Sequence, residues 1–165
     1  CGSGFCSKNL STFFKNSKIL GLDIVDLSID FCKKYNLDDD IEYLSQDIIN
    51  FNLNYKFDYI FLIETLEHIK HEYHYDLIES LLKSLNDDGL IFICTPNEEE
   101  FSNNEKGHVG ILTNYYFNEF KEKFKNNIKS IKYIDNKNLL SNNKNLITNN
   151  LDGSHYKIIL KKIKV

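Results

Sequence analysis

Apolar positions along the chain recur in two ways, as short hydrophobic runs and as longer stretches with helical spacing. Their alternation predicts an α/β layer fold with a largely parallel sheet. The pattern opens on a helix: after Gly2-Ser3-Gly4, the residues Cys6, Leu10 and Phe13 fall at i, i+4 and i+7 and predict one buried stripe. Residues 18–24 (KILGLDI) read as a strand. Val25, Ile29 and Cys32 again have helical spacing, and this second helix is expected to close near Asn36. Ile41 to Leu44 is a short strand. Phe57 to Ile63 (FDYIFLI), aromatic and β-branched without a turn signal, predicts a buried strand near the middle of the sheet.

Further along, Leu77, Ile78, Leu81, Leu82 and Leu85 form a wide apolar helical face. It is expected to stop at Asn86-Asp87-Asp88-Gly89, with Gly89 as a left-handed cap. Leu90 to Thr95 then reads as a strand ended by Pro96. Phe117, Phe120 and Phe124 predict another helix, with Thr113 as its N-cap. Ile128 to Ile134 and Tyr156 to Ile163 are the last strands, and the Asn-rich stretch from 136 to 150 suits a surface loop.

A chain of 165 residues with 42% hydrophobic composition supports one globular core, so a single domain over 1–165 is expected. No apolar run approaches the ~18 residues of a membrane-spanning helix, and no signal segment opens the chain. Cys1, Cys6, Cys32 and Cys94 are scattered, without C-x-x-C pairing or a zinc-finger histidine, so reduced thiols in a cytoplasmic protein are expected. Lys and Arg total 20 against 24 Asp and Glu, a formal charge of −4. That balance, with no basic block interleaved with aromatics, disfavours a nucleic-acid partner. Nothing in the pattern sets an oligomeric state.

Candidate chemistry begins at the first residues. A glycine-containing loop ahead of a helix lets backbone N–H groups approach a polar ligand, and Cys1-Gly2-Ser3-Gly4 fits that description, although many such loops are only turns. Asp23 adds to it: it ends the following strand about 20 residues on, where an acid in doubly wound nucleotide-binding folds faces ribose hydroxyls. A turn or N-cap role is the plainer alternative for Asp23, and Asp26 suits that role equally. A dinucleotide fingerprint would need a third glycine where Ser7 stands, and no G-K-[ST] follows, so dehydrogenase and NTPase readings lose ground. Asp58, at the start of its strand, is expected to be structural.

Five segments in this order resemble class I S-adenosylmethionine-dependent methyltransferases: Cys1-Gly2-Ser3-Gly4, GLDIVDLSIDFCKK (21–34), Ser45-Gln46-Asp47, FDYIFLIETLEHI (57–69) and LLKSLNDDGLIFICTPN (81–97). The resemblance implies a Rossmann-like three-layer α/β sandwich with a mostly parallel sheet and an antiparallel last strand, binding S-adenosylmethionine as cofactor. It implies that Gly2 and Gly4 let the backbone pass close to the methionine part, that Asp23 binds the ribose, and that Ile24 packs on the adenine. Asp47 would accept from the adenine amino group, Ile48 would offer backbone contacts, and Ile63 and Glu64 would line the methionine and methyl side. Family members carry a hydrophobic strand before the C-G-x-G. The resemblance therefore implies that the first central strand is missing from the chain and the domain is incomplete at its N-terminus.

Methyl transfer requires alignment of donor and acceptor, exclusion of water and, for some acceptors, removal of a proton. His68 and His108 are the general-base candidates. Glu64, Glu67, His68 and His108 also form a carboxylate–imidazole set suited to a divalent cation. Their E-x-x-E-H spacing with a later His resembles metal-dependent small-RNA 2′-O-methyltransferases. The same string is common in metal-free small-molecule enzymes of the family, and with the acidic balance the expectation is no metal. His71 and His74 share one side of a helix and read as a solvated helix entrance, and His155 carries no special signal. Methyl transfer to an O or N atom of a small-molecule acceptor is the leading expectation, with Thr95 to Thr113 setting acceptor specificity. A small-RNA methyltransferase and a noncatalytic binding domain that keeps the fold are the alternatives.

Overall fold

The computed structural model describes residues 1–50, 55–97, 107–110, 112–134, 147–148 and 155–163. Its contacts divide it into two compact units, Cys1–Asn52 and Leu53–Val165.

In the first unit the order is α1 (Phe5–Phe13), β1 (Ile19–Asp23), α2 (Asp26–Tyr35) and β2 (Ile41–Ser45), closed by a 3₁₀ turn at Ile48–Asn50. β1 and β2 pair in parallel, with Ile19 opposite Ile41 and Asp23 opposite Ser45. Asp23 and the turn after β2 therefore sit together at the C-terminal end of the pair, and the N–H of Gln46 donates to the Asp23 carbonyl at 2.8 Å. Ile29 and Cys32 of α2 pack against Tyr43 of β2, as the helical spacing requires. Val25 is the N-cap residue of α2 and is half-exposed. The predicted stripe on α1 is rotated: Ser7 is the buried residue, Cys6 and Leu10 are half-buried, and Phe13 is 82% exposed. Ser7 escapes a hydrophobic pattern because its small side chain lets the helix approach Gly21.

In the second unit β3 (Phe57–Ile63) leads through a 3₁₀ turn at Leu66–His68 into α3 (His71–Lys83), followed by β4 (Leu85–Pro96), α4 (Asn114–Phe124), β5 (Ile128–Ile134), β6 (Ile147–Thr148) and β7 (His155–Lys161). The sheet order is β3-β4-β7-β5-β6. β3 and β4 are parallel, and β7 enters antiparallel between β4 and β5, so β3, β4 and β5 run one way and the last strand runs against them. This is the expected α/β, Rossmann-like arrangement. Of the Asn-rich stretch only Ile147–Thr148 falls within the described residues, as a two-residue strand on β5. Among the described residues β1 pairs only with β2, and β3 only with β4.

The helix–strand junction departs from expectation. α3 ends at Lys83, Leu85 already pairs with Phe57, and Gly89 does not have a left-handed φ. The register slips between Leu85 and Leu90, so residues 86–89 loop out of the ladder, and Asn86 turns back to donate to Asp58 at 2.7 Å. Asp58 thus fixes the end of the strand away from its C-terminus, as anticipated.

α3 and α4 share an aromatic seam. Tyr75 stacks on Tyr116, Phe117 stacks on Tyr156 of β7 at 4.1 Å, and Phe117 and Phe120 are fully buried. Thr113 caps α4 by accepting from the N–H of Tyr116. His74 is buried in this seam rather than solvated. Its Nε2 lies 2.9 Å from the Leu66 carbonyl and 2.7 Å from that of Ile69, so Nε2 carries the proton. Nδ1, 3.0 Å from the Tyr116 hydroxyl, accepts from it. Burial lowers the pKa of His74 below 6.5, with the neighbouring His71 adding to the effect and the two carbonyls opposing it; burial also raises that of Tyr116.

Two outcomes follow. Phe117→Ala is expected to lower unfolding free energy by about 3–5 kcal/mol, whereas Phe13→Ala changes it by no more than about 0.5 kcal/mol, both read from urea denaturation. His74, with its pKa depressed in the folded state, contributes stability that is complete above pH 6.5 and is lost as pH falls through the lowered value. The stability gap between wild type and the non-titrating His74→Asn should therefore narrow between about pH 8 and about pH 5; a gap independent of pH would refute the buried neutral imidazole.

Candidate functional site

The sequence puts Cys1-Gly2-Ser3-Gly4 ahead of α1, and the chain makes a closed turn there, with the Gly4 N–H donating to the Cys1 carbonyl at 3.0 Å. Gly2 and Gly4 have φ of 53° and 76°, the left-handed region that favours glycine. At Gly4 a Cβ would also lie 2.5 Å from Asn36 Nδ2 and 2.9 Å from both Cys32 Sγ and the Tyr43 hydroxyl. The C-terminal end of α2 holds the loop from beneath: Asn36 donates to the Ser3 carbonyl at 2.6 Å and Cys32 to that of Gly2 at 3.3 Å.

Asp23 meets this loop. The Gly2 N–H donates to Asp23 Oδ2 at 2.7 Å, the Cys1 nitrogen approaches the same oxygen at 3.1 Å, and the Val25 N–H donates to Oδ1 at 3.0 Å. Burial acts to raise its pKa, but the Val25 and Gly2 N–H groups work against it, and the carboxyl lies below the ordinary value. Asp23 is therefore ionised at neutral pH. A carboxylate oxygen can accept twice, so Oδ1 keeps one position for a further donor. Asp26 is not interchangeable with it, since Asp26 accepts from Ser45 Oγ across the strand ends.

Beside Asp23, the carboxylate of Asp47 accepts from the Ile49 N–H at 3.0 Å and from Asn50 Nδ2 at 3.2 Å, one donor on each oxygen. Each oxygen again has a position to offer. Ile24 is 67% exposed just past β1, and Ile48 opens the 3₁₀ turn half-buried. Gly2, Gly4, Asp23, Ile24, Asp47 and Ile48 thus all lie in the first unit, with the glycine turn bonded directly to Asp23. The donor and acceptor set suits an adenosine-containing ligand: a hydroxyl can donate to Asp23, an exocyclic amine to Asp47, and a flat ring can cover Ile24.

In the second unit, Ile63 and Glu64 stand at the C-terminal end of β3. Glu64 has φ of 48°, a conformation that costs a residue with a side chain roughly 1–2 kcal/mol. It is held there by its N–H donating to the Cys94 carbonyl at 2.9 Å, and its carboxylate lies 3.6 Å from His155 Nε2. Backbone strain of this kind gathers at functional positions. Burial and then the charge of Glu64 push the Cys94 thiol up to about 11, so it is not a nucleophile.

Three residues on, Glu67 is 1% exposed, and Thr95 donates to its Oε2 at 3.0 Å. Burial, followed by the Glu64 charge, raises its pKa. His68 is exposed, its Nδ1 3.2 Å from the Gly107 carbonyl, and its ring lies 4.8 Å from that of His108, nearly perpendicular. The N–H groups of Val109 and Gly110 both donate to the Glu67 carbonyl at 2.9 Å, tying the His108 segment to the turn that carries His68. Only glycine permits this approach, because a Cβ at Gly110 would sit 1.7 Å from the Ile69 carbonyl oxygen. His68 and His108, which the sequence set together both as general-base candidates and in the carboxylate–imidazole set, are neighbours, whereas the Glu64 carboxylate faces His155. Of the Thr95 to Thr113 stretch, residues 98–106 and 111 lie outside the described residues.

Sequence reasoning missed Thr95 as the partner of Glu67 and the left-handed backbone at Glu64. The first was visible as an inward-facing position, since Ile91, Ile93 and Thr95 alternate on the buried face of β4. The second had no signal, because nothing in a glutamate announces a positive φ.

A family model described as a methyltransferase domain matches residues 1–89. No curated protein sequence matches the chain. Among solved structures, 99% of the chain aligns with 75% of the N-methyltransferase NodS from Bradyrhizobium japonicum WM9 in complex with S-adenosyl-l-homocysteine, at 14% identity and a TM-score of 0.70. An S-adenosylmethionine-dependent methyltransferase from Clostridium acetobutylicum ATCC 824 aligns over 98% of the chain and 80% of its own, at 14% identity and a TM-score of 0.72. The plantazolicin methyltransferase BpumL, in complex with SAH, aligns over 99% and 74%, at 17% identity and 0.71. At such identities the structural likeness speaks for the fold, while the family model speaks for descent. Together they establish that the chain belongs to the methyltransferase-domain family of class I, S-adenosylmethionine-dependent fold.

Proposed function

We propose that residues 1–165 form a single methyltransferase domain that binds S-adenosylmethionine and transfers its methyl group to an oxygen or nitrogen of a small-molecule acceptor. The observation that carries this reading is the bonded pair of Asp23 and the Gly2 N–H at the C-terminal end of β1. There a carboxylate kept ionised stands next to a backbone turn with room on its outer side, since a Cβ at Gly2 would meet nothing within 4 Å. Gly2 and Gly4 would admit the methionine part, Asp23 would hold a ribose hydroxyl through Oδ1, Ile24 would cover the adenine, and Asp47 and Ile48 would fix its amino edge. Ile63 and Glu64 would line the methionine and methyl side. The bound cofactor supplies a methyl carbon on a positively charged sulfur, open to in-line displacement.

On the acceptor side, His68 and His108 are proposed to take the proton that an oxygen or nitrogen nucleophile loses. With Nδ1 donating to the Gly107 carbonyl, the lone pair of His68 lies on Nε2, and the ring is exposed to an incoming acceptor. A small acceptor is favoured over RNA by the net charge of −4.

Calorimetric titration of the chain with S-adenosylhomocysteine tests the cofactor assignment. Wild type is expected to bind at one site, and Asp23→Ala to bind at least about tenfold more weakly, the loss of one or two charge-assisted hydrogen bonds. Equal binding by the two proteins would overturn the ribose assignment. Binding without methylation of any offered acceptor would favour the noncatalytic alternative.

A further inference from the structure

Within the first unit, α2 turns Ile29 and Cys32 toward β2 and leaves a second apolar stripe on its outer side. Leu27, Phe31 and Tyr35, spaced four residues apart, fall together on the helix and are 77%, 47% and 60% exposed. Single exposed apolar side chains are ordinary, but three large ones in a row on one helix face mark a contact surface. They are held in place: the Phe31 and Tyr35 ring centroids lie 4.8 Å apart, and Lys34 Nζ stands 4.9 Å from the Tyr35 ring centre. Leu27 and Phe31, with Ser3 and Ser28, also border a shallow depression next to the stripe.

We propose that this stripe joins two copies of the chain, α2 packing antiparallel on α2 about a two-fold axis that passes near Phe31. The charges on the helix identify the occupant. α2 carries Asp26 and Asp30 in its first half and Lys33 and Lys34 in its last turn. Asp30 and Lys34, both exposed, flank the stripe and are in no ion pair among the described residues. A second helix lying the same way would set Asp30 beside Asp30 and Lys34 beside Lys34. Lying the opposite way, it sets Phe31 against Phe31, brings Tyr35 over the depression at Leu27, and carries Asp30 to Lys34, each contact made twice by symmetry. An apolar stripe flanked by acid toward one end and base toward the other is thus complementary to its own copy. The opposed helix dipoles favour the same direction.

A few large side chains from each copy make a small interface, so the association expected is reversible, with a dissociation constant in roughly the micromolar range. The stripe includes none of the residues assigned to the cofactor or the acceptor, and the proposal is therefore independent of the methyltransferase reading.

The test is sedimentation velocity of the full chain from about 1 to about 300 µM, with folding of every variant checked by circular dichroism. Wild type is expected to pass from monomer to dimer across that range, and Phe31→Asp to stay monomeric throughout. Asp30→Lys and Lys34→Asp should each weaken association at least about tenfold, and the chain carrying both substitutions, which restores opposite charges across the axis, should recover to within about threefold of wild type. Phe13→Asp, on an exposed apolar residue of α1, should leave association unchanged. If Phe31→Asp does not fold, the charge exchange at two exposed positions carries the comparison. Wild type that stays monomeric would give the stripe to a partner of another kind and overturn the proposal. So would an undiminished dimer in folded Phe31→Asp, loss of the dimer in Phe13→Asp, or no recovery in the doubly exchanged chain.

Discussion

A single carboxylate, that of Asp23, is the acceptor around which the first unit is organised. It takes an N–H from Gly2, at the turn entering α1, and an N–H from Val25, at the turn entering α2. Two helix entrances, both of which present backbone donors with no intrahelical partner, are thereby tied to the end of one strand. The Asp23 carbonyl extends the same anchor to β2 through Gln46. Remove the carboxylate and the glycine turn loses the contact that sets its direction, although Asn36 and Cys32 still hold it from below. A residue with this structural duty can also serve a ligand, because an ionised carboxylate has more acceptor positions than the backbone uses.

The second unit solves a comparable problem with buried polar groups. The turn between β3 and α3 cannot form a regular ladder, so its carbonyls need donors. His74 supplies one proton shared between Leu66 and Ile69, and the backbone after Gly107 supplies two more to Glu67. The result is a turn whose side chains, Glu67 inward and His68 outward, are held by bonds to their own backbone rather than by packing alone. Such preorganisation is what lets a few side chains act together without reorganising when a ligand arrives.

How much of this was legible in the sequence depends on what carries the signal. Strands and helices followed from period: β3 at Phe57–Ile63 and the Phe117-Phe120-Phe124 face of α4 were readable because large apolar side chains mark their own burial. α1 was rotated because its buried position is Ser7, and a small residue at a close approach leaves no hydrophobic trace. Gly89 misled for the opposite reason, since glycine after a helix usually caps it, yet here it lies in a loop squeezed against the Phe57 carbonyl. Among the site residues, Asp23 and the glycines were readable from spacing. The pairing of Thr95 with Glu67, and the burial of His74, are products of tertiary packing between segments 28 and 42 residues apart, and no local window contains them.

The two unusual features of the ETLEH segment belong together. Glu64 occupies a left-handed backbone conformation, and three residues later Glu67 buries a carboxylate. Each is unfavourable by itself, and a fold selected only for stability would replace the first with glycine or asparagine and the second with an uncharged residue. Both glutamates lie at the C-terminal end of the β3–β4 pair, where the Glu64 N–H donates to the Cys94 carbonyl and the neighbouring Thr95 donates to the Glu67 carboxylate. The Glu67 carbonyl in turn accepts the N–H groups of Val109 and Gly110, which holds the His108 segment against the turn that carries His68. Backbone strain and a buried carboxyl that fall three residues apart are the combination expected where a segment serves chemistry and not stability alone.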